Sequence, residues 1–239
     1  MSRVFLVRHG QASFSEPTYD KLSAIGIEQA RLLGQYWARH AVVFHRVCSG
    51  PRLRQRDTAR MVAQAYRDAG VTFPDPVVMD EFDEYQGDAV LERSLPALTQ
   101  NDPQIRKLRD AYEASVDPEE RRKNFQKLFD VVITRWVKGE IQVDDVESWE
   151  EFAARVNHGL CHLVSSAGRS RQLAIFCSGG PIAVAMQRAL QLSAETTLQV
   201  AWMVRNGSFS EFLCSGERFT LSAFNAFPHL DGTALLTYR

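Results

Sequence analysis

The first apolar run of the chain, residues 4–7, contains no polar residue and ends in Arg8, His9 and Gly10. A continuous apolar run of this length is typical of a strand that is buried on both faces. In open α/β sheets, ligands bind at the carboxyl ends of the strands. The pattern therefore predicts a buried strand that carries Arg8 and His9 at its tip, with Gly10 allowing a sharp turn or the close approach of a ligand.

Apolar residues at helical spacing follow residues that are typical of helix starts. Ser23 is a candidate N-cap for a helix that contains the apolar positions 27, 30, 33 and 37. Ser148 and Glu151 fit a capping box before a helix over residues 149–166. A third helix is predicted over residues 181–192, with a proline in its first turn. These helices alternate with apolar segments that are too short to be helical themselves.

Short apolar segments predict three more strands, at residues 42–48, 77–79 and 173–177, and a hairpin around Ser215 and Gly216. Strands separated by helices predict an α/β fold with three layers: a mostly parallel central sheet with helices on both faces. A charged, helical pattern over about 91–145 predicts a helical insertion within one domain spanning residues 1–239. That insertion could form a lid, a wall that selects substrates or the surface of a homodimer.

Composition excludes several classes of protein. The 239 residues carry a formal net charge of −1, which does not indicate a nucleic-acid partner. No apolar run approaches the roughly 20 residues of a membrane helix, and no signal-peptide pattern is present, so we expect a cytoplasmic protein without a membrane partner.

Cysteine and histidine spacing gives no sign of a metal or a disulfide framework. The four cysteines are scattered without paired spacing. His158 and His162 stand four residues apart, as helical metal ligands do, but no third ligand accompanies them. We expect both histidines to be solvated, and we expect no metal and no cofactor.

Two segments have the composition of an anion site. Arg52, Arg54 and Arg56 lie in the first turns of a helix predicted after residue 51, where the helix dipole disfavours cations unless an anion is bound in front of it. Ser178 and Gly179 join a strand to a helix start, which is a second anion cradle of the same design. Together with a nucleophilic imidazole and a guanidinium fork at the tip of the first strand, they suggest capture of a phosphoryl group.

Six segments, in the same order along the chain, resemble the motifs of the histidine phosphatase superfamily, which includes the phosphoglycerate mutase-like proteins. Arg8-His9-Gly10 looks like the hallmark of that family, but any one of these segments alone, this one included, is a weak signal. The others are residues 22–30, residues 49–59, the segment Met79-Asp80-Glu81, and the short signatures at 147–149 and 206–208.

The resemblance implies a phosphomonoester hydrolase that works through a phosphohistidine and needs no metal. His9 would be the nucleophile, Arg8 and Arg54 would hold the phosphoryl oxygens, and Glu81 would be the proton donor. Glu84 competes with Glu81 for that last role, since both lie in one acidic run. Residues at the second cradle, including Gly179, would complete the phosphate site.

One position departs from the family pattern. Ser178 stands where the family has its second histidine. A hydroxyl can donate a hydrogen bond but carries no positive charge, and the loss of a charge-assisted donor typically lowers the rate by roughly 10²–10³. The expectation is a slow phosphatase, or one whose small phosphorylated substrate supplies its own charge. His229 could also fold back and replace the missing histidine.

Three alternatives stay open at this point. A phosphoglycerate-type mutase would use the same nucleophile, and a phospho-ligand-binding protein would keep the pocket without turnover. Cys48 and Arg54 also fit the Cys-x5-Arg loop of cysteine-dependent phosphatases, although that interpretation leaves Arg8 and His9 unexplained. The substrate itself is not indicated by any segment.

Overall fold

The computed structural model of the chain describes residues 1–13 and 20–238, so most of the polar loop that follows Ser13 lies outside the described residues. The strands are β1 (Ser2–Arg8), β2 (Arg46–Ser49), β3 (Val77–Val78), β4 (Gln172–Cys177), β5 (Phe209–Ser215) and β6 (Arg218–Ala226). The helices are α1 (Ala24–Arg39), α2 (Leu53–Asp68), α3 (Gly87–Asn101), α4 (Pro103–Ala114), α5 (Pro118–Val137), α6 (Trp149–Ala167), α7 (Gly179–Leu190) and α8 (Ala194–Met203). A 3-10 turn, Asp80–Phe82, follows β3.

The chain divides into two compact units. The sheet unit consists of Met1–Glu84 and Ala153–Arg239, and the helical unit consists of Tyr85–Phe152. The helical unit contains α3, α4 and α5, which are the helices expected from the charged periodic segment. None of the helices in the described part of the chain is long and apolar enough to cross a membrane.

The sheet has the strand order β3-β2-β4-β1-β5-β6. The first four strands in that order are parallel, whereas β5 and β6 run antiparallel and form the predicted hairpin. In the central pair, Arg8 is level with Cys177, so β1 and β4 end side by side. The predicted α/β class and the mostly parallel central sheet are confirmed.

Both faces of β1 are buried, as its unbroken apolar run requires. Phe5 and Val7 face a core built with α1 and α2. Val4 and Leu6 alternate to the opposite face and are also fully buried. Helix α7 packs against β1 and β6. The tip of β1 is therefore held rigidly by packing on either side.

Several boundaries differ from the sequence expectation for identifiable reasons. The strand predicted from residue 42 begins only at Arg46, because the Val42 N–H donates to the Trp37 carbonyl oxygen and so closes the end of α1. Helix α7 begins at Gly179, ahead of its proline. Helix α8 was not predicted. The Ser23 cap is confirmed, because its side chain accepts a hydrogen bond from the Gly26 N–H.

Candidate active site

Arg8 and His9 lie at the carboxyl end of β1, beside the end of β4. The His9 N–H donates to the Cys177 carbonyl oxygen at 2.9 Å, which extends the parallel ladder by one residue. Arg8 and His9 are only 8% and 6% exposed. The Arg8 guanidinium donates to the Val204 carbonyl oxygen. Two strongly polar side chains are therefore buried at the predicted strand tip, where burial is costly unless they are hydrogen-bonded or paired with an opposite charge.

Gly10 makes the turn that follows. Its N–H donates to Thr58 Oγ1 at 3.1 Å, and the same hydroxyl donates to the Arg54 carbonyl oxygen in α2. A Cβ atom at position 10 would overlap the Gly26 carbonyl oxygen. The turn therefore needs glycine because α1 approaches it closely, and Thr58 ties it to α2.

The His9 imidazole is held by a hydrogen bond at each nitrogen. Its Nδ1 lies 2.7 Å from the Gly10 carbonyl oxygen, and its Nε2 accepts from the Arg54 Nε–H at 3.0 Å. A carbonyl can only accept and a guanidinium can only donate, so the proton sits on Nδ1 and the lone pair on Nε2. Burial, reinforced by the charges of Arg54 and Arg8, holds the pKa of His9 well below its usual value. The ring is therefore neutral and keeps a nucleophilic nitrogen.

Arg54 links His9 to the start of α2. Its Nη1 forms an ion pair with Asp20 at 2.7 Å, and the other carboxylate oxygen of Asp20 accepts from the Leu53 N–H at 2.7 Å. Helix α2 has Arg52 at its N-cap, a side chain that cannot accept a hydrogen bond. Asp20 supplies the missing acceptor. An acidic side chain thus occupies the helix N-terminus where an anion was expected.

Ser178 lies at the other cradle and is held by a glutamine. Its Oγ accepts from Gln55 Nε2 at 2.8 Å, and both side chains are essentially inaccessible to solvent. Gln55 is fixed in turn, because its Oε1 accepts from the Arg52 N–H at 3.1 Å. Gly179 begins α7 directly after Ser178. The hydroxyl that replaces a histidine therefore belongs to a defined hydrogen-bonded arrangement.

The two candidate proton donors of the acidic run at 80–84, Glu81 and Glu84, make different contacts. Glu84 Oε2 accepts from the Gly180 N–H at 3.2 Å, so its carboxylate lies at the start of α7, two residues from Ser178. Arg155 fixes the turn from α6, because its Nη1 lies 2.9 Å from the Asp80 carbonyl oxygen and 3.1 Å from that of Glu81.

Glu81 makes no described hydrogen bond or ion pair with this cluster. It lines a cavity of about 690 Å³ together with Arg46, Cys48 and His162. In the part of the chain that the structure describes, no hydrogen bond or ion pair links the Glu81 carboxylate to His9 or to the residues that hold it.

Two other sequence hypotheses find no support in the geometry. Burial raises the pKa of the Cys48 thiol to about 11, which leaves almost no thiolate for a cysteine-dependent mechanism. The His229 ring packs near Tyr36 and the Gly207 backbone, and no hydrogen bond joins it to His9 or Ser178 among the described residues, so the contacts do not support its replacing the missing histidine. His158 and His162 are exposed, as expected.

The structure brings together Arg8, His9, Arg54, Ser178 and Gly179 at the ends of β1 and β4 and the starts of α2 and α7. Sequence reasoning missed Asp20 and Gln55. For Asp20 a signal existed, since α2 has no acceptor of its own at the N-cap. For Gln55 there was none. Among residues 1–13 and 20–238, no group of three or more histidine, cysteine or acidic side chains could hold a metal ion.

Comparison with known proteins gives one family match. Residues 4–138 and 115–226 match the model described as "Histidine phosphatase superfamily (branch 1)". No protein with curated annotation matches the chain by sequence.

Solved structures share the fold over nearly the whole chain. The alpha-ribazole phosphatase from Shigella flexneri is 21% identical, with 94% of this chain and 96% of that chain covered and a TM-score of 0.60. Phosphoglycerate mutase from Bacillus anthracis is 15% identical, with coverage of 96% and 95% and a TM-score of 0.63. Phosphoserine phosphatase from Entamoeba histolytica is 14% identical, with coverage of 96% and 100% and a TM-score of 0.63. At these identities the likeness concerns the fold alone.

Proposed function

The chain belongs to the histidine phosphatase superfamily, and from that premise we propose that it hydrolyses small phosphomonoesters through a phosphohistidine on His9. Membership supports a phosphatase or a mutase. The observation that carries the proposal is the state of His9: its neutral ring has Nδ1 tied to the Gly10 carbonyl oxygen and keeps the lone pair on Nε2. An imidazole in this tautomer is ready to attack phosphorus without losing a proton first.

In the first step, His9 Nε2 would attack phosphorus in line, forming the N–P bond as the P–O bond to the leaving group breaks. The leaving oxygen would take a proton from a carboxylic acid. In the second step that carboxylate would remove a proton from water, whose oxygen attacks phosphorus, and the N–P electron pair would return to Nε2. Arg8 and Arg54 would stabilise the charge on the phosphoryl oxygens, so the chemistry needs no metal.

We assign the proton-donor role to Glu84 rather than Glu81. The hydrogen bond from the Gly180 N–H to Glu84 supports this choice, because it holds the carboxylate next to Ser178 and the start of α7. Glu81 lines a cavity with Cys48 and His162.

Ser178 favours hydrolysis over phosphoryl retention. A mutase must stabilise the phosphoenzyme and keep its intermediate bound, and a neutral hydroxyl that already accepts from Gln55 provides less positive charge than a histidinium would. The same argument predicts a slow enzyme, with a rate about 10²–10³ below that of a site with a charge-assisted donor.

The test is phosphate release from a panel of phosphomonoesters in buffer containing a chelator. His9→Ala is expected to abolish release. Glu84→Gln should lower kcat by about 10²–10⁴, whereas Glu81→Gln, which removes one carboxylate from the same acidic run, should lower it less than tenfold. A larger loss with Glu81→Gln would reverse the assignment of the acid. Phosphate binding without release from any substrate would indicate a non-catalytic binding protein, and transfer to an isomeric product would indicate a mutase.

A further inference from the structure

The start of α2 is the part of the phosphate site that the protein occupies with its own anion. Asp20 places one carboxylate oxygen on the Leu53 N–H and the other on Arg54 Nη1, each at 2.7 Å. A free N–H at a helix N-terminus and an arginine fork are the groups that bind a phosphoryl oxygen. The carboxylate therefore satisfies the donors that a phosphomonoester would need.

The same ion pair reaches the nucleophile. Arg54 donates through Nη1 to Asp20 and through Nε to His9 Nε2, so one guanidinium joins the carboxylate to the lone pair that must attack. In-line attack needs phosphorus on the axis of that lone pair, where the Arg54 Nε–H now lies. Arg54 must therefore shift before reaction, and its contact with Asp20 opposes the shift.

The burial of the two partners shows which of them can give way. The Arg54 side chain is 8% exposed, whereas the Asp20 side chain is 39% exposed. A partly exposed carboxylate regains hydration when it leaves, but a buried guanidinium needs a replacement anion. A phosphoryl group is such a replacement.

We propose that Asp20 is a specificity-determining residue whose carboxylate competes with the phosphoryl group for Leu53 N–H and Arg54. This inference rests on the proposed function, because it assumes that the His9 site binds phosphate. Asp20 lowers the affinity for phosphate alone and so favours substrates that make further contacts outside the phosphoryl group. It also keeps the nucleophile covered by Arg54 until such a substrate binds.

Asp20→Asn tests the proposal with little structural change. The asparagine keeps an oxygen for the Leu53 N–H, since asparagine is a good acceptor at helix N-termini, but it removes the charge that holds Arg54. Asp57→Asn is the matched control: it removes the same charge from the first turns of α2, where Asp57 pairs with Arg60 at 3.1 Å. The readouts are the Kd for inorganic phosphate by titration calorimetry, and kcat and KM for a simple aryl phosphate.

The expected result is a Kd for phosphate about three- to fivefold lower in Asp20→Asn, as for the loss of a partly exposed ion pair, with a matching fall in KM and no fall in kcat. Asp57→Asn should equal the wild type. An unchanged or higher Kd in Asp20→Asn, a fall in kcat, or an equal gain in the control would overturn the proposal, because Asp20 would then only position Arg54 or act as a general charge. If Asp20→Asn gives one of these results while the wild type releases phosphate and His9→Ala does not, only the role of Asp20 is refuted and the proposed function stands. If neither the wild type nor Asp20→Asn binds or releases phosphate, the proposed function is refuted, and the role of Asp20 with it.

Discussion

His229→Phe is expected to weaken the dependence of stability on pH. His229 is 8% exposed, and burial lowers its pKa to about 4, although the nearby Gly207 backbone opposes the shift. In the unfolded chain the pKa of a histidine is about 6.5. Below that value the unfolded state binds more protons than the folded state, so the folded state loses stability as the pH falls.

The size of this effect follows from the two pKa values. With a pKa of about 6.5 in the unfolded chain and about 4 in the folded chain, the free energy of unfolding falls by about 2 kcal/mol between pH 8 and pH 5. Well below pH 4 the loss reaches about 3 kcal/mol. For a chain of this size, 2 kcal/mol corresponds to a fall in Tm of about 4–8 °C. Phenylalanine cannot titrate, so the decrease in Tm between pH 8 and pH 5 should be smaller in His229→Phe than in the wild type by that amount.

Thermal unfolding at pH 8 and pH 5 measures the difference directly. Each variant is compared with itself at the two pH values, so a change in packing near Tyr36 cancels. His162→Gln removes an exposed histidine and is the control, with the pH dependence of the wild type expected. His9, whose pKa is also lowered by burial, contributes a fall of the same sign in all three proteins. Equal falls in Tm for the wild type and His229→Phe would refute the reasoning.

Three further predictions concern the site itself. Arg54→Lys keeps the charge but loses the fork that reaches His9, so initial rates should show kcat/KM lower by about 10²–10³; a loss below tenfold would mean that charge alone suffices. Gly10→Ala should lower the free energy of unfolding by about 1–3 kcal/mol, because its Cβ would overlap the Gly26 carbonyl oxygen, and an unchanged urea midpoint would contradict this. Ser178→His should raise phosphate release by about tenfold or more if the missing cation limits the rate, and an unchanged rate in a folded variant would place the limit elsewhere.

The fold could be predicted largely because its signals are local. The apolar run of β1, the Ser23 cap of α1 and the turn at Ser215 and Gly216 each depend on residues that are close in sequence. Helix α8 was missed because its pattern of apolar residues is weakly periodic. The strand predicted from residue 42 was too long, because the sequence does not indicate the hydrogen bond from the Val42 N–H to the Trp37 carbonyl oxygen.

The site could be predicted less completely, since its chemistry depends on contacts between distant segments. The resemblance to the histidine phosphatase motifs predicted that Arg8, His9 and Arg54 share one site, and His9 and Arg54 do form a hydrogen bond. Glu81 and Glu84 lie three residues apart around a 3-10 turn, so sequence alone could not tell which carboxylate meets α7.

The Arg155 contact ties the acid-bearing turn to a helix more than 70 positions later in the chain. Its Nη1 nitrogen also lies 3.4 Å from the Asp83 carbonyl oxygen, so a single guanidinium group touches three successive parts of the turn. The conformation of the turn therefore depends on Arg155 as well as on the turn's own residues. Grafting residues 80–84 onto another scaffold would transfer the carboxylates without their geometry, and a substitution at position 155 would alter the placement of acids that belong to a distant segment.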